Sequence, residues 1–146
     1  MRRLAALLAL FAGCGSSGGG GTDANRAYRE AQEALQDGDF ERAVARADDA
    51  IKASPASAGP YLVRGKARQG LGRLDPAEAD FSLAVEKASS EGKPIYHFWR
   101  GLFYSDTGRQ EKALADYDIA CEGQMRRPVR EYFIECFRQR AKTYLA

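Results

Sequence analysis

Two stretches of the chain match each other position by position. The first, RGKARQGLGRLDPAEADF, runs from Arg64 to Phe81, and the second, RGLFYSDTGRQEKALADY, runs from Arg100 to Tyr117. Both begin with Arg-Gly, have Gly-Arg eight residues after the start, and end in Ala-Asp followed by an aromatic residue. Self-similarity at a fixed period indicates a repeat architecture.

A third, more divergent copy precedes these two. Gly38, Gly72 and Gly108 recur along the chain at nearly equal intervals. Alanines recur at two fixed distances after each glycine, with an aromatic residue between them in the last two copies. The pattern resembles the tetratricopeptide repeat (TPR), in which about 34 residues form a hairpin of two α-helices. The residues that define it are Gly38, Ala43, Ala50, Pro55, Gly65, Gly72, Ala77, Phe81, Ala84, Gly101, Gly108, Ala113, Tyr117 and Ala120.

The resemblance implies an all-α fold, a right-handed α-solenoid of three TPR hairpins followed by a C-terminal capping helix. The three units cover residues 24–57, 58–91 and 94–125, and the cap covers 126–146. Asp23 is expected to cap the first helix and Gly123 to end the sixth. The predicted helices are Ala24–Asp37, Phe40–Ser54, Ala58–Leu71, Asp75–Ala88, Pro94–Thr107, Gln110–Cys121 and Pro128–Ala146.

The last predicted helix has an apolar stripe with two interpretations. A stacked repeat leaves its final apolar face open, so the stripe is expected to cover the third unit as a cap. The alternative is a docking helix or one that lies on a membrane, because residues 126–146 contain six basic and two acidic side chains. The stripe consists of Val129, Tyr132, Phe133, Cys136, Phe137, Ala141, Tyr144 and Leu145.

The first 23 residues read as an export signal and a tether. Arg2 and Arg3 precede a short apolar run that is well below the roughly 20 residues of a membrane span. The run ends in Leu-Phe-Ala-Gly-Cys at Cys14, which resembles the lipobox of bacterial lipoproteins. The resemblance implies a signal peptide over 1–13, fatty-acyl chains such as palmitate on Cys14, and a Gly/Ser-rich tether over 14–23. Gly15 in place of Asp resembles sorting to the outer membrane in Gram-negative bacteria.

The composition argues against catalysis. The chain has 146 residues, a formal net charge of +2, one His and three Cys, which leaves little material for a metal site or a catalytic triad. His97 is interpreted as a packed or groove-edge residue, and the carboxylates are expected to be solvated on helix faces. We therefore expect no enzyme activity, cofactor, metal site, nucleic-acid partner or small-molecule substrate.

Cys121 and Cys136 leave two alternatives open. Export would place them in an oxidising compartment, where disulfides persist. However, Cys121 is predicted at the end of one helix and Cys136 two turns into the next, an axial offset of roughly 10 Å at 1.5 Å per residue. That offset exceeds disulfide geometry, which favours two buried thiols over a bridge.

In the TPR family the first helix of each unit lines a concave groove. Transferred to this chain, the groove residues are Tyr28, Gln32, Leu35, Leu62, Lys66, Gln69, Phe98, Trp99, Leu102 and Ser105. Apolar and amide groups of this kind suit an extended segment or a helix. The Lys, Asn and Arg residues with which chaperone-binding members clamp a terminal carboxylate are replaced here by Tyr28, Gln32, Val63, Ile95 and Trp99.

The sequence therefore predicts a lipid-anchored TPR adaptor that binds a protein partner through its concave face at the bacterial cell envelope. It would lie on the periplasmic side of the outer membrane in a Gram-negative host and on the cell surface in a Gram-positive one. The alternative is a structural lipoprotein that self-associates through its aromatic C-terminal helix.

Overall fold

The computed structural model describes residues 20–126 and 130–145, and the side chains of 23–123 and 134–145. Every regular element in these ranges is a helix. The predicted all-α solenoid of three hairpins with a seventh helix is confirmed. The helices are α1 Gly20–Gln36, α2 Phe40–Ala53, α3 Ala58–Gly70, α4 Leu74–Lys87, α5 Lys93–Asp106, α6 Gln110–Arg126 and α7 Arg130–Leu145.

The three hairpins share one turn geometry. Gly38, Gly72 and Gly108 have φ of 78°, 71° and 75°, a conformation that side-chain-bearing residues rarely adopt. The amide of the residue after each glycine donates to a carbonyl five residues back, as in a Schellman motif. The three bonds are Asp39 N to Ala34 O (2.9 Å), Arg73 N to Arg68 O (2.8 Å) and Arg109 N to Tyr104 O (2.8 Å).

Small residues hold the two helices of each hairpin close together. The repeat-defining alanines are all fully buried, which agrees with their predicted role. At Gly101 a Cβ atom would come within 2.8 Å of Cε1 of Tyr117, because α5 passes directly over that ring. The aromatic residue of α6 thus fills the space that the missing side chain of α5 leaves open.

The core changes in character along the solenoid. Around α1 and α2 it is built from alanines together with Val63 of α3, and the larger side chains packed against them are only partly buried. From the second unit onward it is aromatic, and the rings of Phe81 and Phe103 join units two and three at a centroid distance of 5.0 Å. We therefore expect the greater share of apolar stabilisation to lie in the C-terminal half.

Two helix boundaries differ from the prediction by four residues or more, and the others by at most two. The first helix begins at Gly20, so Asp23 lies in its first turn, where its charge suits the helix dipole, and pairs with Arg26 at 3.3 Å. The sixth helix continues to Arg126, so Gly123 does not end it. Gly123 instead lies against Pro94 at the start of α5, where a side chain would collide.

The extension of α6 also overturns the prediction for the cysteines. Cys121 and Cys136 form a disulfide, with Cα atoms 5.9 Å apart. Cys121 lies five residues before the end of α6, and Cys136 lies six residues after the start of α7. Antiparallel helices place residues at equal distances from their connection side by side, so the expected axial offset does not exist.

The seventh helix packs on α6 and, more lightly, on α5. Cys136 is buried and Phe137 packs against the aromatic core, as expected for a cap. Val129 and the side chains of Tyr132 and Phe133 lie outside the described residues, and Tyr144 and Leu145 are exposed. Among the described helices, none is long and apolar enough to cross a membrane.

Candidate functional site

Two buried aspartates bind arginines from the neighbouring helix of the same hairpin. Asp80 on α4 is 1 % exposed and accepts hydrogen bonds from Arg64 Nη2 at 2.6 Å and Arg68 Nη1 at 2.8 Å. Arg64 also donates from Nη1 to Asp48 of the preceding unit at 2.6 Å. The carboxylate is therefore fully engaged, and its arginine links two consecutive units.

Asp116 occupies the equivalent position on α6. It accepts from Arg100 Nε at 2.7 Å and Nη2 at 2.8 Å, and His97 Nδ1 lies 2.8 Å from its Oδ1. Burial acts to raise the pKa of Asp116, but Arg100 and His97 outweigh it and hold the pKa below its usual range. His97 is thus the packed residue predicted from the sequence, with a structural partner.

The expectation that the carboxylates are solvated is wrong for Asp80 and Asp116. The signal was present, because Arg64 and Arg100 precede their aspartates by the same interval in the two matching stretches. Such a spacing connects the facing sides of a helical hairpin. These pairs fix the hairpins, and the described residues contain no group of three His, Cys, Asp or Glu side chains that could hold a metal.

The first helices of the units, α1, α3 and α5, lie side by side and form one continuous face, called here the groove face. At its centre, Nζ of Lys66 on α3 lies 3.0 Å from the ring centroid of Trp99 on α5. Burial lowers the pKa of Lys66 to about 8. A cation on an aromatic face, partly removed from water, is a strong local recognition element.

One end of the groove face is formed around Tyr28. Its hydroxyl accepts a hydrogen bond from Gln32 Nε2 at 3.2 Å, and burial raises its pKa. Burial and the nearby Tyr28 raise the pKa of Tyr96, which the groove prediction did not include. Tyr28 also borders a cavity of about 350 Å³ between α1, α2 and the start of α3.

The remaining predicted groove residues fall into two groups. Gln69 on α3 donates to Asp106 on α5 at 3.1 Å, so it spans two units on this face. Leu35, Leu62, Leu102 and Ser105 are partly buried. Phe98 is 4 % exposed and packs against Tyr117 between α5 and α6, so it is not part of the accessible surface. Its ring also contacts that of Trp99.

The architecture is similar to several solved structures. A TPR2B domain of yeast Sti1, solved as a pHsp70 complex, has a TM-score of 0.77 and 22 % identity over 85 % of this chain and 98 % of that one. The Yersinia enterocolitica type III secretion chaperone SycD, solved with a peptide of the translocator YopD, has a TM-score of 0.73 and 19 % identity. The match covers 83 % of this chain and 92 % of that one. The Arabidopsis OM64 TPR domain has a TM-score of 0.68 and 20 % identity, over 85 % of this chain and 98 % of that one. The chain thus has a TPR-type fold, and no protein-family model matches its sequence.

Proposed function

We propose that this protein is an adaptor that binds a segment of another protein on its groove face. The observation that carries the proposal is the Lys66–Trp99 pair at the centre of that face. A half-desolvated ammonium and a large aromatic ring from two different units offer both charge and apolar surface to one ligand.

The surrounding residues suit a polypeptide. Gln32 and Gln69 provide amide groups on the same face, and Leu62 and Leu102 are partly buried apolar residues there. Amides placed between apolar side chains can read the backbone of an extended segment or one face of a helix. The similar Sti1 domain was solved as a pHsp70 complex and SycD with a peptide of the translocator YopD, which supports this assignment by analogy of fold.

We further propose that the adaptor is exported and anchored by lipid at Cys14. The support comes from the sequence, since Cys14 and the predicted signal over 1–13 lie outside the described residues. Acyl chains at Cys14 would hold the solenoid close to an envelope membrane and raise the effective concentration of a membrane-bound partner. The partner is therefore proposed to be a protein of the same envelope.

Cross-linking in intact cells tests both parts. The wild-type chain is compared with Lys66→Glu, which reverses the charge in the groove face, and with Lys52→Glu, a matched reversal on the exposed side of α2. One envelope protein should be captured by the wild type and Lys52→Glu and lost in Lys66→Glu. Capture of only the protein's own chain, unchanged by Lys66→Glu, would contradict the adaptor and favour self-association.

The anchor has its own readout. The intact mass of the protein from the membrane fraction should begin at Cys14 and include acyl chains. Cys14→Ala should move the protein out of that fraction while the purified chain keeps its helical circular dichroism spectrum. An unmodified Cys14 thiol in the mature protein would contradict the anchor and leave the groove proposal standing.

A further inference from the structure

The seventh helix packs on its predecessor in the same register as the first helix of a repeat. In α3, α5 and α7, one arginine reaches back to the residue ten positions after the preceding turn glycine. The three pairs are Arg64–Asp48 (2.6 Å), Arg100–Ser82 (3.4 Å) and Arg140–Asp118 (2.9 Å). By this relation α7 occupies the position of the first helix of a repeat, and Arg140 in α7 corresponds to Arg100 in α5.

That register identifies which side of α7 would meet a second helix. In α5, four residues lie against α6: Pro94 contacts Gly123, Phe98 and Gly101 contact Tyr117, and the Tyr104 ring lies 5.2 Å from Lys112 Nζ. Their counterparts in α7, aligned on Arg100 and Arg140, are Ile134, Arg138, Ala141 and Tyr144, and all four are exposed. We call these four residues, with Leu145, the open face of α7.

The side chains of the open face are much more exposed than their counterparts in α5. Tyr104 is 7 % exposed between α6 and Glu78 of α4, to which its hydroxyl donates at 3.0 Å, whereas its counterpart Tyr144 is 61 % exposed. Ile134 is 59 % and Leu145 88 % exposed. Ile134 lies near one end of this face and Tyr144 and Leu145 near the other, with Arg138 and Ala141 between them. Ala141 stands at the position where Gly65 and Gly101 allow close approach of a second helix.

Within the described ranges, Arg140 has only one of the two partners that the equivalent arginines of α3 and α5 have. Arg64 binds Asp48 of the preceding unit and the buried Asp80 of its own hairpin. Arg100 likewise binds Ser82 of the preceding unit and the buried Asp116 of its own hairpin. Arg140 has the backward ion pair with Asp118, and the described residues place no carboxylate in the second position. Its side chain is 34 % exposed, against 15 % for Arg64 and 21 % for Arg100.

We propose that the open face of α7 docks an amphipathic helix from another protein, one with the pattern Ala-x-x-Asp-aromatic. That pattern is what α4 and α6 present to α3 and α5, as Ala77 to Phe81 and Ala113 to Tyr117. The aspartate of the incoming helix pairs with Arg140, and its aromatic ring packs over Ala141. Docking would complete a fourth hairpin between two chains.

Charge complementarity selects this occupant over two others. A second copy of α7 would bring Arg138, Arg140 and Lys142 against the same residues of its partner, which is unfavourable. The chain's own copies of the pattern are buried within their hairpins. Residues 1–19 contain no Asp or Glu and so cannot supply the missing carboxylate.

The first test uses a peptide with the sequence of α4, LDPAEADFSLAVEK, acetylated, amidated and labelled with fluorescein. It is titrated against the full chain carrying Cys14→Ser, by fluorescence anisotropy and by amide chemical shifts of the ¹⁵N-labelled protein. We expect saturable binding with shifts confined to α7 and the facing side of α6. Asp80→Asn in the peptide should weaken binding by about tenfold, because a hydrogen bond to a charged group is lost.

A variant pair in the protein completes the test. Ala141→Arg fills the point of closest approach and should weaken peptide binding by about tenfold or more. Ala45→Arg, the same change at an exposed alanine of α2, should leave binding unchanged. Equal binding by both variants, absence of binding at millimolar peptide, or shifts on α3 or the groove face would overturn the proposal.

Two further outcomes separate this face from the other surfaces. A dimer in sedimentation velocity that Ala141→Arg dissociates would identify a second copy as the occupant and also overturn the proposal. Lys66→Glu should leave binding of the α4 peptide unchanged, because Lys66 lies on the groove face. The open face and the adaptor function can therefore fail independently.

Discussion

Glu30 on α1 and Arg46 on α2 form an ion pair whose polarity is the reverse of that in the other hairpins. Arg46 Nη1 lies 3.7 Å from Glu30 Oε2. The two residues stand eight positions before and eight after Gly38, as Arg64 and Asp80 do around Gly72. The first unit therefore has its acid on the first helix and its base on the second. Both side chains are well exposed, at 35 % and 44 %, unlike Asp80 at 1 %.

The difference in burial predicts a large difference in stability effect. Asp80→Asn leaves Arg64 and Arg68 without their shared carboxylate inside the second hairpin. Removing one partner of a buried ion pair costs about 3 kcal/mol or more, so the free energy of unfolding should fall by about that amount. Urea denaturation followed by circular dichroism at 222 nm measures it.

Glu30→Gln serves as the matched control. An exposed pair contributes about 0–1 kcal/mol, so this variant should unfold within that range of the wild type. An Asp80→Asn variant as stable as Glu30→Gln would show that the Asp80 site does not hold the second hairpin together.

Asp116 should make the protein sensitive to acid. Its pKa is lower in the folded protein than the 3.8 of a free side chain, so its contribution is complete above pH 5 and is lost as the pH falls through the folded value. The free energy of unfolding should decline between about pH 5 and pH 2. In Asp116→Asn that decline should be shallower, and an unchanged slope would contradict the assignment.

Lys66 should make stability depend on pH in the same direction, but in the alkaline range. Its pKa is about 8 in the folded protein and 10.5 when unfolded, so the unfolded chain binds more protons between these values. Stability should therefore rise from pH 8 to pH 10.5, and less so in Lys66→Met.

The same titration has a spectroscopic reporter. Trp99 is the single tryptophan of the chain, so its fluorescence should change with a midpoint near pH 8. The transition should be absent in Lys66→Met. A midpoint near 10.5, the value of a free lysine, would show that Lys66 is not buried against the ring.

The Cys121–Cys136 disulfide predicts a redox-dependent melting temperature. The bond closes a loop with a sequence separation of 15, for which chain entropy gives about 3 kcal/mol of stabilisation. Dithiothreitol should lower the melting temperature of the wild type and leave that of Cys121→Ala/Cys136→Ala unchanged. Two free thiols at these positions under denaturing, non-reducing conditions would contradict the bridge.

Residues whose role is set within one helix or one turn were predictable. The turn glycines and the buried alanines follow from local helix and turn geometry, and so do most helix ends. Gly123 shows the limit, because its effect depends on Pro94, which lies on another helix and far away in the sequence. A glycine that ends a helix and one that lets another helix pass have the same sequence signal.

The groove face shows a second limit. The groove positions transferred from the TPR family include Lys66 and Trp99, which are in contact on this face. They also include Phe98, which lies in the core. Neighbouring residues on α5 point in different directions, and a shift of one position decides between groove and core. Tyr96 was missed because its closeness to Tyr28 arises only when the units stack.

Because the described chain has an odd number of helices, its two ends lie on opposite edges of the stack. Each hairpin returns the polypeptide to the edge from which it started, but α7 crosses once more. Its last described residue, Leu145, therefore lies on the edge of the glycine turns, opposite the edge where α1 begins at Gly20. A crossing of 16 residues separates the two edges by about 24 Å at 1.5 Å per residue. A force applied between Gly20 and Leu145 would therefore have a component along the helix axes, across the stack of units.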